Sequence, residues 1–194
     1  MSKRPAKNPA STSSNAAVRG QYESFGVRGF YERFGAEYRN PHEEAVRKAV
    51  KTAGAKWDVN FDHVLDLACG SGEVTLALRE MGYTHVDGID PYTGDAYLKR
   101  TARKAERLTF EEIADGGLAD RRYTLIICSF ALHLPEESRL PMLMYQLSLA
   151  APDMIVITPH KRPRIRPAWG WQCRDEIVVD RVRARHYESA HAGG

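Results

Sequence analysis

The stretch VLDLACGSGEVT, residues 64–75, decides the fold class of this chain. An apolar run containing Asp66 is followed by the small residues Ala68, Gly70 and Gly72, and then by a helical pattern. Residues without bulky side chains let a ligand approach the backbone, and the first turn of a helix offers free N–H groups. The stretch therefore predicts a strand, a ligand-binding turn and a helix in succession.

A second acidic residue, Asp90, ends the next apolar strand, THVDGID (84–90), 18 residues after Gly72. A carboxylate at this place can accept hydrogen bonds from two ribose hydroxyl groups. Ligands of open α/β sheets bind at the carboxyl ends of the strands, which is where both acidic residues fall. The two segments together predict a cofactor site at one edge of a sheet.

Apolar strands and helices alternate along the rest of the chain. Strands are predicted at 62–68, 84–90, 107–113, 123–130, 153–158, 176–180 and 182–189, and helices at about 41–53, 73–82, 94–106 and 138–150. Continuous apolar strands that alternate with helices indicate a parallel sheet covered on both faces. The last two strands are joined too closely for a helical crossover, so they should pair antiparallel. The predicted fold is a three-layer α/β/α domain whose seven-stranded sheet is mostly parallel, with an antiparallel C-terminal hairpin.

The first helix carries its own boundary signals. Asn40 and Glu43 fit a capping box at its start, with Pro41 at the first helical position. Gly54 fits its end, because glycine is the residue that most often terminates a helix.

Composition and length suit one globular domain. Hydrophobic residues make up 43% of the 194 residues and charged residues 27%, which excludes a disordered or fibrous chain. No run approaches the roughly 18 apolar residues of a membrane-spanning helix, and the N-terminus shows no secretory core, so we expect a cytoplasmic protein. Cys69, Cys128 and Cys173 lie far apart, which argues against a disulfide framework and a zinc site.

The net charge of +3 is concentrated at the N-terminus, because residues 1–20 contain four basic residues and no acidic one. This segment is rich in Ser, Ala, Pro and Asn and predicts a disordered basic tail. It could act as an electrostatic arm for nucleic acid or a targeting segment, or simply be a solvated leader. Residues 21–194 are predicted to form a single domain, in which 21–40 is an aromatic segment.

A dinucleotide-binding enzyme is the main alternative for the glycine-rich turn, but its GxGxxG fingerprint fails in both frames. Counting from Gly70 places Thr75 at the third glycine, and counting from Ala68 places Glu73 there. Asp66 would also repel a pyrophosphate, whereas it suits a ligand with a cationic amino group. The predicted ligand is not a dinucleotide.

Residues 66–72 resemble motif I of the class I S-adenosylmethionine-dependent methyltransferases, usually D/E-x-G-x-G-x-G, with Ala68 in place of the first glycine. The resemblance covers about residues 40–189 and includes the antiparallel last strand of these Rossmann-like folds. It implies S-adenosyl-L-methionine as the cofactor and methyl transfer as the reaction. We expect no metal, in line with the cysteine spacing.

The resemblance also implies which residues contact the cofactor. In such enzymes the motif I loop holds the methionine part, and the acid after the second strand holds the ribose. Residues after the third strand flank the adenine, and the end of the fourth strand faces the sulfonium. Together with an aromatic residue that could stack on cofactor or acceptor, these positions are Tyr38, Asp66, Ala68, Gly70, Gly72, Asp90, Pro91, Glu112, Ile113, Ser129 and Phe130.

Methyl transfer is an in-line displacement that needs a positioned nucleophile and a general base only when the nucleophile is protonated. His133, just past the fourth strand, is the candidate catalytic residue; alternatively it packs or positions, as histidines do in related enzymes. His160, after the fifth strand, borders the same edge. The fourth strand does not end in the D/N/S-P-P-Y/F/W sequence typical of methylases of amide and exocyclic amino nitrogens, which disfavours those acceptors.

Two segments bear on the acceptor. The aromatic stretch from Phe25 to Tyr38, with Tyr31 as a second candidate for stacking, lies where related enzymes place a lid; alternatively it covers the sheet edge. The segment HKRPRIRPAWGW (160–171) combines basic side chains with tryptophans, which suits phosphate contact and base stacking, or it is a solvated loop whose tryptophans pack on the hairpin. The basic residues proposed to contact RNA are Lys161, Arg162, Arg164 and Arg166, with Arg181, Arg183 and Arg185 on one face of the hairpin.

Three functions remain open from the sequence. The first is a methyltransferase acting on RNA or another anionic acceptor. The second is a methyltransferase acting on a small molecule, and the third is a non-catalytic, cofactor-binding partner subunit. The oligomeric state is not indicated.

Overall fold

The computed structural model describes residues 35–191. The predicted basic tail and the aromatic residues from Phe25 to Phe34 lie outside the described residues, so the tail and the lid stay predictions. Of the aromatic segment, the structure places Tyr38.

Six strands and five helices form the described part of the chain. They are α1 (Glu43–Lys56), β1 (Val64–Leu67), α2 (Glu73–Glu80), β2 (Val86–Ile89), α3 (Gly94–Thr101), α4 (Phe110–Ala114), β3 (Leu125–Ser129), α5 (Leu140–Ala150), β4 (Asp153–Thr158), β5 (Trp171–Val179) and β6 (Val182–Ser189), with short 3-10 turns at Gly35–Glu37 and Pro167–Trp169.

The strands form one sheet in the order β2-β1-β3-β4-β6-β5. The strands β1 to β4 run parallel, and β6 pairs antiparallel with both β4 and β5. The predicted fold class, a mostly parallel sheet with an antiparallel C-terminal hairpin, is confirmed. The hairpin's first strand begins at Trp171 rather than at residue 176.

Helices cover both faces of the sheet. Alternate residues of each strand point to opposite faces, so that Leu125 and Ile127 pack under α1 and α2. Ile126 and Cys128 pack under α4 and α5. This gives the three expected layers. None of the helices within residues 35–191 combines the length and the apolar character required to cross a membrane.

The predicted strand at 107–113 is wrong, and the sheet therefore has six strands instead of seven. Glu106 makes a single parallel bridge to Ile89, after which the chain turns into α4. A capping box starts this helix: Thr109 Oγ1 accepts from the Glu112 N–H at 3.1 Å, and a Glu112 carboxylate oxygen accepts from the Thr109 N–H at 2.8 Å.

The boundaries of α1 also differ from the prediction. Asn40 does not cap the helix; its Oδ1 accepts from the His42 N–H at 2.8 Å, and Glu43 pairs with Arg39 and Arg100 instead of closing a capping box. Gly54 lies inside α1, where a Cβ would come within 2.5 Å of the Met81 side chain. Close packing, not helix termination, explains this glycine.

Helix α3 is shorter than predicted. It ends at Thr101 rather than near 106, because Ala102 adopts the left-handed conformation that closes a helix.

Candidate functional site

A cavity of about 570 Å³ opens at the carboxyl ends of β1, β2 and β3. Its walls are Tyr38, Asn40, Leu67, Ala68, Gly70, Glu73, Ile89, Asp90, Pro91, Tyr92, Leu108, Thr109, Phe110, Glu111, Ile113, Ser129, Phe130, Ala131, Leu134 and Pro135. Among these described residues three carry carboxylates and none is a lysine or an arginine. The cavity therefore favours a ligand that carries positive charge.

The turn after β1 forms the cavity floor and contains three left-handed residues. Ala68, Gly70 and Gly72 have φ values of 54°, 55° and 91°. A Cβ at Gly70 would lie 3.3 Å from both the Tyr38 ring and Glu73 Oε2, so a side chain there would narrow the cavity. Gly70 thus lies at the cavity wall, with its N–H donated to Asp90 and its carbonyl accepting from the Thr93 hydroxyl, and its contact with a ligand stays a prediction.

Asp90 ties the turn after β1 to the turn after β2. Its Oδ2 accepts from the Gly70 N–H at 3.1 Å. Its Oδ1 accepts from the N–H groups of Tyr92 and Thr93, each at 2.9 Å. The side chain is held at the cavity wall by these bonds. Oδ1 already accepts from two N–H groups, whereas Oδ2 accepts from one and keeps a lone pair for a ligand hydroxyl group.

Asp66 does not line the cavity. It is 1% exposed, and its Oδ2 accepts from the Thr75 N–H at 3.1 Å and the Thr75 hydroxyl at 2.7 Å. Its Oδ1 has no hydrogen-bond partner among the described residues. Burial raises the pKa of Asp66 to about 8. The structure thus places this carboxyl group behind the turn, against α2.

Gly72 also lies outside the cavity lining. A Cβ there would come within 2.5 Å of Thr101 and 3.3 Å of Tyr97. The residue is needed for close packing of α2 against α3.

The segment around α4 forms the wall opposite the turn. Ile113 lines the cavity as predicted, together with Leu108, Thr109, Phe110 and Glu111. Glu112 is not part of the lining, because its carboxylate caps the helix at Thr109. The adjacent Glu111 faces the cavity instead.

The end of β3 contributes Ser129 and Phe130 to the cavity. Phe130 has a φ of 56°, a strained conformation for a bulky residue, and the His42 ring stacks on it at 5.0 Å between centroids. His133 lies beyond this wall, with its ring 5.8 Å from that of His160. Desolvation of the ring, and secondly the neighbouring His160, lower the pKa of His133, which favours the neutral imidazole.

Comparison of the chain's sequence and fold with those of known proteins identifies its family. Magnesium protoporphyrin IX methyltransferase from Synechocystis, solved with bound S-adenosylmethionine, matches with a TM-score of 0.56 and 19% identity, over 95% of this chain and 100% of that one. The family model described as "Methyltransferase domain" matches residues 64–150. An uncharacterized protein of Schizosaccharomyces pombe is 31% identical over 219 residues, covering 84% of this chain and 89% of that protein. The chain belongs to the class I S-adenosylmethionine-dependent methyltransferases.

Other methyltransferases share the fold. The CcbJ methyltransferase from Streptomyces caelestis matches with a TM-score of 0.60 and 13% identity, over 82% of this chain and 96% of that one. A ribosomal-protein methylase from Lactobacillus delbrueckii matches with a TM-score of 0.54 and 18% identity, over 79% and 81%. The family and the fold predicted from the sequence are confirmed; these matches identify no subfamily.

The methyltransferase cavity brings together most of the residues that the resemblance implied. The predicted cofactor residues that line it are Tyr38, Ala68, Gly70, Asp90, Pro91, Ile113, Ser129 and Phe130. Asp66, Gly72, Glu112 and the catalytic candidate His133 are not among its lining residues. Whether any of them contacts the cofactor stays a prediction.

Sequence reasoning missed several lining residues. Asn40, Tyr92 and Leu134 reach the cavity through the packing of separate segments, which no local pattern indicates. Glu73 had a local signal, since it directly follows the glycine-rich turn, but a carboxylate at the start of a helix is usually solvated. Here Glu73 is 4% exposed and lines the cavity.

The basic segment after β4 keeps its charges in solvent. Lys161, Arg162, Arg164 and Arg166 are exposed. Trp171 is fully buried and its indole N–H donates to the Met144 carbonyl at 2.8 Å, so it is a packing residue that cannot stack on a base.

Four side chains of this region have partners nearby. The Arg166 guanidinium lies 5.5 Å from the centre of the Trp169 ring. Arg183 and Arg185 both pair with Glu176.

Proposed function

We propose that this methyltransferase binds S-adenosylmethionine in the cavity at the carboxyl ends of β1 to β3 and transfers its methyl group to a nucleophile that enters from the side of β4. The main observation behind the proposal is the position and hydrogen bonding of Asp90. Its carboxylate is fixed by three backbone N–H groups at the wall of an acidic cavity, where the free lone pair of Oδ2 can accept from a ribose hydroxyl group.

The charges of the lining fit this cofactor. S-adenosylmethionine carries a sulfonium, an ammonium and a carboxylate, and therefore one net positive charge. Glu73, Asp90 and Glu111 supply negative charge without a basic residue among the described lining. The same carboxylates would repel the pyrophosphate of a dinucleotide, which agrees with the failure of the GxGxxG pattern.

The apolar part of the cavity suits a purine ring. Leu108, Phe110 and Ile113 form one wall beside Asp90, so an adenine attached to a ribose at Asp90 would lie against them. The methionine part would then extend along the turn at Gly70 toward Ser129 and Phe130.

The bound cofactor supplies an electrophilic methyl group on its sulfonium. The protein holds that group in line with the acceptor and excludes water from it, which are the main requirements of the displacement. We propose that the imidazole of His133 accepts the proton of an acceptor that carries one, since desolvation and the neighbouring His160 lower the pKa of His133 and so favour the neutral form that a general base needs.

An anionic acceptor, RNA among the candidates, is supported by the position of the basic segment. The contact between the His133 and His160 rings joins the start of this segment to the loop that lines the cavity. Four exposed cations follow, so phosphate groups could bind beside an acidic cofactor cavity without entering it.

A small-molecule acceptor is the second candidate. The cavity wall beyond Phe130 is apolar at Ala131, Leu134 and Pro135, which suits a compact acceptor held inside the cavity.

Transfer of labelled methyl groups to fractions of a cell extract, with and without RNase, separates these acceptors. We expect label in the RNA fraction, no transfer by Asp90→Ala, and at least tenfold less transfer when Arg162, Arg164 and Arg166 are changed to Gln. A matched control replaces the exposed Lys99, Lys104 and Arg122 by Gln and should transfer normally.

The other outcomes are equally informative. Label in small molecules, unaffected by the arginine substitutions, supports the small-molecule acceptor and contradicts the anionic one. Absence of transfer to every fraction, despite cofactor binding, supports the non-catalytic partner subunit.

A further inference from the structure

Glu73 is the only carboxylate of the stretch 64–75 that lines the cavity formed by the described residues. It is the first residue of α2, is 4% exposed and belongs to the lining. Its Oε2 lies 3.3 Å from the position that a Cβ at Gly70 would occupy. The oxygen therefore lies beside Gly70, along which we expect the methionine part of a cofactor to extend.

The two oxygens of Glu73 have different surroundings. Oε1 accepts from the Arg100 guanidinium at 2.9 Å, from the Asn40 N–H at 3.4 Å and from the Ser71 hydroxyl. No described residue donates a hydrogen bond to Oε2. The first oxygen is thus held in place by the protein, and the second is presented to the cavity.

The described residues provide Glu73 with only part of the positive charge that would balance its carboxylate. Arg100 is the cation that contacts it among the described residues, and Arg100 is shared with Glu43. A buried carboxylate is costly unless it is paired, and an ammonium group at Oε2 would complete the pairing. The analogous role was assigned to Asp66 from the sequence, but that side chain lies behind the turn with its Oδ2 occupied by Thr75.

We propose that Glu73, through Oε2, binds the ammonium group of the amino-acid part of the cofactor and so selects S-adenosylmethionine over nucleosides that lack this group. The inference rests on the proposed function, since it assumes that the cavity holds this cofactor. Arg100 and Ser71 act as positioning residues, because they fix the carboxylate by its other oxygen.

Calorimetric titration with two ligands tests this role. The ligands are S-adenosylhomocysteine and its analogue in which hydrogen replaces the amino group. We expect the wild-type protein to bind the analogue at least about tenfold more weakly, as is usual for loss of a charge-assisted hydrogen bond. Glu73→Gln should weaken binding of S-adenosylhomocysteine about tenfold and leave the analogue unchanged. The matched control Glu80→Gln, at the exposed end of the same helix, should change neither.

Equal weakening of both ligands by Glu73→Gln would assign the residue a purely structural role and overturn the proposal. Equal affinity of the wild-type protein for the two ligands would overturn it as well, even where the variant does not fold. A wild-type protein that binds neither ligand contradicts the proposed function itself, which distinguishes the two failures.

Discussion

At the residue scale, Gly70 and Gly72 show that one motif serves two purposes. Both have positive φ, and both are cofactor residues by resemblance. Gly70 keeps the cavity floor open, whereas Gly72 lets α2 and α3 approach each other. The motif therefore encodes the packing of its own helix as well as the binding surface.

Gly72→Ala should destabilise the fold far more than Gly82→Ala. Both glycines have φ above 90°, but a Cβ at Gly72 would be 2.5 Å from Thr101, whereas one at Gly82 meets nothing within 4 Å. We expect losses of about 3 to 5 kcal/mol for Gly72→Ala and about 1 to 2 kcal/mol for Gly82→Ala in the free energy of unfolding, measured with urea. Equal losses would contradict the packing role.

The buried carboxyl group of Asp66 should make stability depend on pH. Its pKa is raised from 3.8 to about 8 by burial, so the folded protein holds a proton that the unfolded chain releases. The stabilisation from this proton is full below the unfolded value and is lost as pH rises through the folded one. We expect the free energy of unfolding to fall by up to about 1.4 kcal/mol per pH unit between roughly pH 5 and 8.

Asp66→Asn removes the titrating group and should flatten that dependence. Chemical denaturation of both proteins across the same pH range measures the difference. Parallel pH profiles of the wild-type and variant proteins would show that Asp66 is ionised in the folded state, against the present interpretation.

At the element scale, α4 shows where a sequence pattern is ambiguous. Leu108, Phe110 and Ile113 are compatible with a strand or with a short helix, since a segment this short barely distinguishes the two periods. Thr109 and Glu112 have the spacing of a capping box, and this was the signal that favoured the helix. Whether this segment is a strand or a helix affects the site, because the segment forms a cavity wall.

Removing the cap of α4 should affect both stability and binding. We expect Thr109→Ala to lower the free energy of unfolding by about 1 kcal/mol and to weaken S-adenosylhomocysteine binding severalfold, because Thr109 lines the cavity and its cap orders the rest of the wall. Thr52→Ala, at an exposed position of α1, is the control. If Thr109→Ala bound S-adenosylhomocysteine as tightly as the wild-type protein, α4 would not be part of the binding site.

At the scale of the whole molecule, the sequence predicted those cavity residues that lie at the ends of strands. Gly70 and Asp90 each follow a strand of the parallel sheet and Ser129 ends one, and topology alone brings the ends of such strands together. Tyr92 and Leu134 lie on connections whose paths depend on the packed structure, so their positions were not predictable. Asp66 and Glu112 were assigned to the cofactor by family position, although their hydrogen bonds to Thr75 and within α4 orient them elsewhere.

The acidic cavity should make cofactor binding sensitive to ionic strength. S-adenosylmethionine has one net positive charge and S-adenosylhomocysteine has none. Raising the salt concentration from about 0.05 M to about 0.5 M should therefore weaken binding of the first severalfold and of the second less. A stronger effect on S-adenosylhomocysteine would contradict the assigned charge of the cavity.

Calorimetric titration of S-adenosylhomocysteine into the wild-type protein and Asp90→Ala tests the central claim most directly, with circular dichroism to verify that the variant is folded. We expect micromolar binding by the wild-type protein and a loss of about a hundredfold or more in the variant, because the removed carboxylate fixes the turn at Gly70 as well as the ribose. Undiminished binding by a folded Asp90→Ala, or absence of binding by the wild-type protein at any accessible concentration, would contradict the assignment of this cavity as the cofactor site.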